Sequence, residues 1–167
     1  MKKIQELTVK EILSLGITLE RSNYLSLVTF SQFFEGNDEL DIAFRFKELA
    51  YEELEHEALL QRMYKDMFGV STSAPLNFDF DDPERDILLS VFKGNHPDYF
   101  DKAQKVFELA LMGENRARGY YQTAAETVAH KNLRLLFNRL ALAKKNNISW
   151  LKDNIAKNQK NVNNLCS

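Results

Sequence analysis

Apolar residues recur at alternating spacings of three and four along four long segments of the chain, the spacing that keeps side chains on one face of an α-helix. The first stripe runs Leu13, Gly16, Glu20, Asn23, Leu27, Phe30, Phe34, and the second Phe46, Leu49, Glu53, His56, Leu60, Met63, Met67. The third runs Ala103, Phe107, Ala110, Glu114, Ala117, Tyr121, Ala124, Val128, and the fourth Leu133, Phe137, Leu140, Lys144, Asn147, Leu151. No period-two alternation of any length competes with them, so the pattern predicts an all-α chain. Each stripe turns polar near its middle and apolar again on the far side.

Local signals mark where the helices start and stop. Thr8 and Glu11 form a T-x-x-E capping box, opening a helix that runs to about Phe34, where Glu35-Gly36-Asn37-Asp38 breaks it. Asn37 or Asp38 is the expected cap of a second helix ending at Gly69. All three prolines, Pro75, Pro83 and Pro97, fall between the second and third stripes. That stretch, 70–97, reads as a polar crossover carrying a short extra helix from Pro83, capped by Asp82, to Val91. Asp98 caps a third helix to about Ala129, and a fourth follows from about Asn132 to Lys157. The expected architecture is two antiparallel helix hairpins joined by a long crossover, with the bundle over 1–158 and a polar tail over 159–167.

Composition narrows the function classes. Lys and Arg number 22 against 24 for Asp and Glu, a net charge of −2, so no basic excess draws the chain to nucleic acid or an anionic membrane. Leu (23) and Ala (13) outnumber Val and Ile (7 each), which favours helix over strand. The single cysteine, Cys166, excludes a disulfide framework and a CxxC metal knuckle. No run of about 18 apolar residues and no leader pattern follows Met1-Lys2-Lys3. The expectation is a cytoplasmic protein in a reducing compartment, without nucleic-acid or membrane partners.

The polar interruptions carry the chemistry. Glu20, Glu53 and Glu114 occupy apolar stripes on three helices that face one another, and Glu is among the residues least often buried. With Lys144 in the same layer and His56 neutral, the formal charge is two negative. Leaving it uncompensated in an apolar core costs several kcal/mol per ion, so the layer requires either a bound cation or added protons. Carboxylate oxygens and a neutral imidazole suit a divalent metal, and Glu53 and His56, three residues apart, project from one helical face onto a single point.

These residues resemble the ferritin-like superfamily, and within it the rubrerythrin-type diiron carboxylate family, over roughly residues 8–157. That family draws a Glu from the first helix of each hairpin and a Glu-x-x-His from the second, together holding two irons. Glu20 matches the first-helix glutamate. The segment 49–56, LAYEELEH, is similar to the second-helix motif, with Glu53 as bridging carboxylate and His56 as terminal ligand. In helix 3 the segment 113–121, GENRARGYY, is similar to the family's GE-x-x-AR-x-x-Y, which assigns Glu114 the third glutamate position. The pattern breaks in helix 4, where Lys144 falls on the second bridging Glu and Asn147 on the second histidine. Metal ligands implied by the resemblance are therefore Glu20, Glu53, His56 and Glu114, with Lys144 and Asn147 as replacements in a degenerate second half-site. The implied cofactor is iron, one or two ions with one the favoured count, and zinc or manganese as substitutes. A redox role towards oxygen or peroxide would draw on an external electron donor.

Competing readings of the same residues stay open at this level. Glu114 pairs with Lys144 as well as it ligates a metal, and a rotated frame for helix 4 (Leu136, Leu140, Ala143, Asn147, Trp150) turns Lys144 to the flank, where its stem snorkels. Glu126 and His130 lie 12 and more residues beyond Glu114, about 18 Å along the axis, and belong to a solvated helix end. Glu52, Glu55 and Glu57 read as outer-face charge, Tyr24, Tyr51 and Tyr121 as core aromatics, and Phe78, Phe80 and Phe92 as cover for a bundle edge. The alternative function is a metal-free bundle in which Lys144 replaces the metal charge and the protein acts through helix-face contacts, as a homodimer.

Overall fold

The computed structural model describes residues 3–72 and 99–165, with side chains to residue 161. A single 3-10 turn, Ile4–Glu6, precedes four helices: α1 (Val9–Glu35), α2 (Leu40–Phe68), α3 (Tyr99–Thr127) and α4 (Lys131–Leu165). The helices pair as two hairpins, α1 with α2 and α3 with α4, forming a four-helix bundle. The crossover signals at Asp82, Pro83, Val91 and Asp98, the residues Phe78, Phe80 and Phe92, and Cys166 lie outside the described residues.

Local chemistry explains the helix ends. The capping box at α1 forms as read: the Glu11 amide donates to the Thr8 hydroxyl at 3.2 Å, and the Thr8 amide donates to the Glu11 carboxylate at 2.7 Å. The α1–α2 turn differs from expectation. Neither Asn37 nor Asp38 caps α2, whose N-cap is Glu39 without a side-chain bond. The Asn37 amide instead turns back to the Phe33 carbonyl at 2.7 Å, closing the end of α1. Asp38 takes the left-handed backbone (φ 61°) that reverses the chain, a conformation Asp tolerates better than bulkier residues. Gly69 ends α2 with φ 70°, as a C-terminal glycine should. At the second hairpin Arg134 donates to the Val128 carbonyl at 3.2 Å, and the His130 ring accepts from the Leu133 amide at 3.4 Å, so side chains complete the turn between α3 and α4.

Contact across the bundle is antiparallel around its rim. Ser31 on α1 donates to the Ala43 carbonyl of α2 at 2.8 Å, and Asn158 on α4 donates to the Phe100 carbonyl of α3 at 3.0 Å. That second bond also corrects the helix 4 boundary: Asn158 is buried and held by α3, and α4 continues to Leu165 through most of the segment read as a polar tail.

The apolar core is in two pieces. One gathers Ile12, Leu13, Ile17 and Leu19 with Leu60, Ala117, Tyr121, Phe137 and Leu140. The other gathers Leu27, Phe30 and Phe34 with Phe46, Leu49, Ala110 and Leu151, and is dense in aromatic contacts: Phe34 stacks on Phe46 at 5.3 Å, and Phe46 meets Trp150 edge-on at 5.4 Å. Each helix leaves one piece and enters the other across its polar residues. Among the described residues, no helix is long and apolar enough to cross a membrane.

Candidate metal centre

The four interruptions predicted from the stripes meet in one layer between the two apolar pieces. Glu20, Glu53 and Lys144 are fully buried, and Glu114 and Asn147 are 2% exposed. The inward frame of helix 4 is the one adopted. Lys144 Nζ donates to Glu20 Oε2 at 3.0 Å and to Glu53 Oε2, and lies 4.0 Å from Glu114 Oε2. His56 Nδ1 is 3.5 Å from Glu20 Oε2. One ligand atom each from Glu20, Glu53 and His56 falls within 4.8 Å of the others, wider than the roughly 3.4 Å between tetrahedral ligands held about 2.1 Å from one ion, so the three would draw together on a bound cation.

Burial sets the protonation of the layer. It pushes Glu53 up to about 8, with the neighbouring Glu20 charge adding to the rise and the Lys144 ammonium opposing it. Burial likewise lifts Glu114 to about 8 against the pull of Lys144. Lys144 itself is held protonated: the charges of Glu114, Glu20 and Glu53 outweigh its own desolvation. His56 is shifted down, by burial first and then by the Lys144 charge, and so stays a neutral imidazole with a lone pair to donate.

Several supports escaped the stripe analysis. Tyr121, read as core, is core and also donates its hydroxyl to Glu20 Oε1, its acidity suppressed by burial and by the Glu20 charge. The GE-x-x-AR-x-x-Y resemblance had marked the residue without giving it this partner. Asn147 points away from the centre as well as towards it: its amide donates to Glu52 Oε2 at 3.1 Å, while the same amide favours the charged form of Glu114. Glu57 is a correction. It is buried, 3% exposed, where an outer-face residue was expected, because Arg21 of α1 reaches it across the seam at 2.8 Å and Gln61, one turn on along α2, donates to it at 2.9 Å. Its signal lay in the sequence: Arg21 follows Glu20 and Glu57 follows His56, so the two pairs share one separation of 36 residues. Glu55, Glu126 and His130 are exposed as read, whereas Tyr51, read as a core aromatic, is 67% exposed because it lies off the buried stripe of α2.

Whether a metal suits this donor set turns on atoms left without partners. Among the described residues Glu53 Oε1, His56 Nδ1 and Glu114 Oε2 are buried and accept no hydrogen bond. All three are electron-pair donors, the chemistry a divalent cation satisfies. Lys144 is bonded to Glu20 and Glu53, and Asn147 stands where the resemblance places a second imidazole, so the donors gathered here are those of a single cluster, Glu20, Glu53 and His56.

No protein-family model and no curated protein matches the chain. Among solved structures it is similar to an uncharacterized conserved protein from Magnetospirillum magnetotacticum, at 19% identity and a TM-score of 0.68 over 90% of this chain and 95% of that one. The likeness is one of fold. It extends over both hairpins and therefore over all four helices that supply the polar layer.

Proposed function

We propose that this protein is a metal-binding bundle of the ferritin-like, rubrerythrin-type class whose centre takes one divalent cation, with Lys144 serving as a built-in second cation. The supporting observation is the set of partnerless donors, Glu53 Oε1 and His56 Nδ1 beside Glu20, in a layer whose carboxylates are buried. Three carboxylates, one ammonium and one divalent ion sum to zero charge, so a single ion neutralises the layer. Glu20, Glu53 and His56 would hold the ion, with Glu114 as a fourth donor. An iron ion would supply one-electron chemistry, and zinc or manganese would bind by the same donors. Around it Tyr121 fixes the Glu20 carboxylate, Lys144 fixes Glu53, and the neutral His56 needs to lose no proton before ligating.

A second reading has its own support in the hydrogen bonds of Lys144 to Glu20 and Glu53. Two protons on the carboxylates neutralise the same layer without metal, leaving a scaffold. Metal analysis of protein purified without chelator, followed by titration with iron(II), zinc(II) and manganese(II), separates the readings. One equivalent per chain, lost in Glu53→Ala and in His56→Ala, is the expected result; absence of any ion at micromolar concentration supports the scaffold and overturns the metal assignment.

A further inference from the structure

At the polar layer, a small cavity opens between α1 and α3. It is lined by Asn23, Ser26, Leu27 and Phe30 of α1 and by Leu109, Gly113 and Glu114 of α3 among others, and offers about 10 Å³ to the centre of a water-sized sphere. That is room for a single water molecule. Gly113 contributes backbone alone where any other residue would project a side chain. Two of the lining residues are polar and deeply buried: Asn23 is 5% exposed and Glu114 2%. The Asn23 Nδ2 group has no hydrogen-bond acceptor among the described residues, and the Glu114 carboxylate is an acceptor with an oxygen unmet. A donor with nothing to donate to and a carboxylate with spare lone pairs therefore line one space of one-water size. A buried polar group left without a partner is destabilising, and one water would satisfy both. Ser26, half-buried, stands at the mouth.

We infer that this cavity is a binding site for one water molecule, which accepts from Asn23 Nδ2 and donates to Glu114, and that it is the port through which the polar layer exchanges with solvent. The site is set by Asn23, Glu114 and Gly113 and holds whether or not a cation binds among Glu20, Glu53 and His56.

Oxygen-17 magnetic relaxation dispersion of the full chain, in chelator so that no metal-bound water contributes, reads the number and residence time of trapped waters. The wild type is expected to carry one more long-lived water than Asn23→Leu. Ser26→Leu, which blocks the mouth and spares both polar groups, should keep that water and lengthen its residence at least tenfold. Equal amplitudes for wild type and Asn23→Leu would overturn the proposal. Should Asn23→Leu not fold, a high-resolution crystal structure of the wild type decides: density within hydrogen-bond distance of both Asn23 and Glu114 supports the site, and Asn23 bonded directly to protein overturns it.

Discussion

The ammonium of Lys144 on α4 lies 3.0 Å from Oε2 of Glu20 on α1, with neither side chain exposed to solvent. A diagonal pair of helices is thus tied through the centre of the bundle by opposite charges, and the rest of the layer is arranged around that tie. Removing one partner of a buried pair leaves the other uncompensated, at a cost of about 3–5 kcal/mol. Lys144→Met is expected to lower stability by that order in chelator, measured by urea denaturation. Saturating zinc should restore more stability to the variant than it adds to the wild type, since the variant layer carries one more uncompensated charge.

Restoring the missing half-site tests the register of helix 4. Lys144→Glu combined with Asn147→His should raise the metal content from one equivalent to two, read by elemental analysis. Unchanged stoichiometry would mean that the two positions do not share the centre with Glu114.

The pH dependence follows from the raised carboxyls. Glu53 and Glu114 titrate near 4.5 when exposed and near 8 when folded, so between those values the folded chain binds more protons than the unfolded one. Stability then falls as pH rises, by up to about 1.4 kcal/mol per pH unit for each group, and the loss is complete above about 8. His56 is shifted the other way and destabilises the fold only below its ordinary value of 6.5, so the window that isolates the carboxyls is pH 6.5–8. Thermal melts in chelator should drop across it. A bound divalent ion replaces the protons, and the same melts with zinc should be flat or rise.

Tyr121 tests support of the Glu20 carboxylate. Tyr121→Phe keeps the ring that stacks on Phe137 and deletes the hydroxyl that donates to Glu20. Leaving a buried carboxylate oxygen without that donor should cost about 1–3 kcal/mol in urea melts and weaken zinc affinity, while the circular dichroism of the helices is unchanged.

The Arg21–Glu57 pair is the fifth test. Glu57 is buried while Arg21 remains 46% exposed at the side chain. Removing the arginine strands a carboxylate in the α1–α2 seam, whereas removing both partners together strands nothing. Arg21→Ala should therefore destabilise by more than Arg21→Ala with Glu57→Leu, a difference that a double-mutant comparison by urea melts resolves.

Much of this architecture was legible because helical stripes record burial directly. Glu20, Glu53 and Glu114 could be placed in the interior from sequence since a carboxylate between Leu and Ala at the three-four spacing faces the same way as its neighbours. Lys144 was undecided for a physical reason: two stripes about one residue apart are both apolar enough in helix 4, and only the carboxylates of the other three helices select between them. Glu57 and Asn158 were misplaced because their burial is licensed by single partners on other helices, Arg21 and Phe100, which no one-dimensional pattern records. The α1–α2 turn misled for the opposite reason. Asn37 and Asp38 are both good caps, but the turn uses one to close α1 and the other to reverse the chain.

The division of the apolar core has a consequence for how the molecule comes apart. Two greasy clusters share no common interior and are joined through a slab whose electrical balance depends on pH and on cations. When that balance is kept, the clusters melt as one unit; when the slab is charged, each is free to loosen at its own temperature. The sharpness of the unfolding transition, more than its midpoint, is then a gauge of what occupies the middle of the bundle.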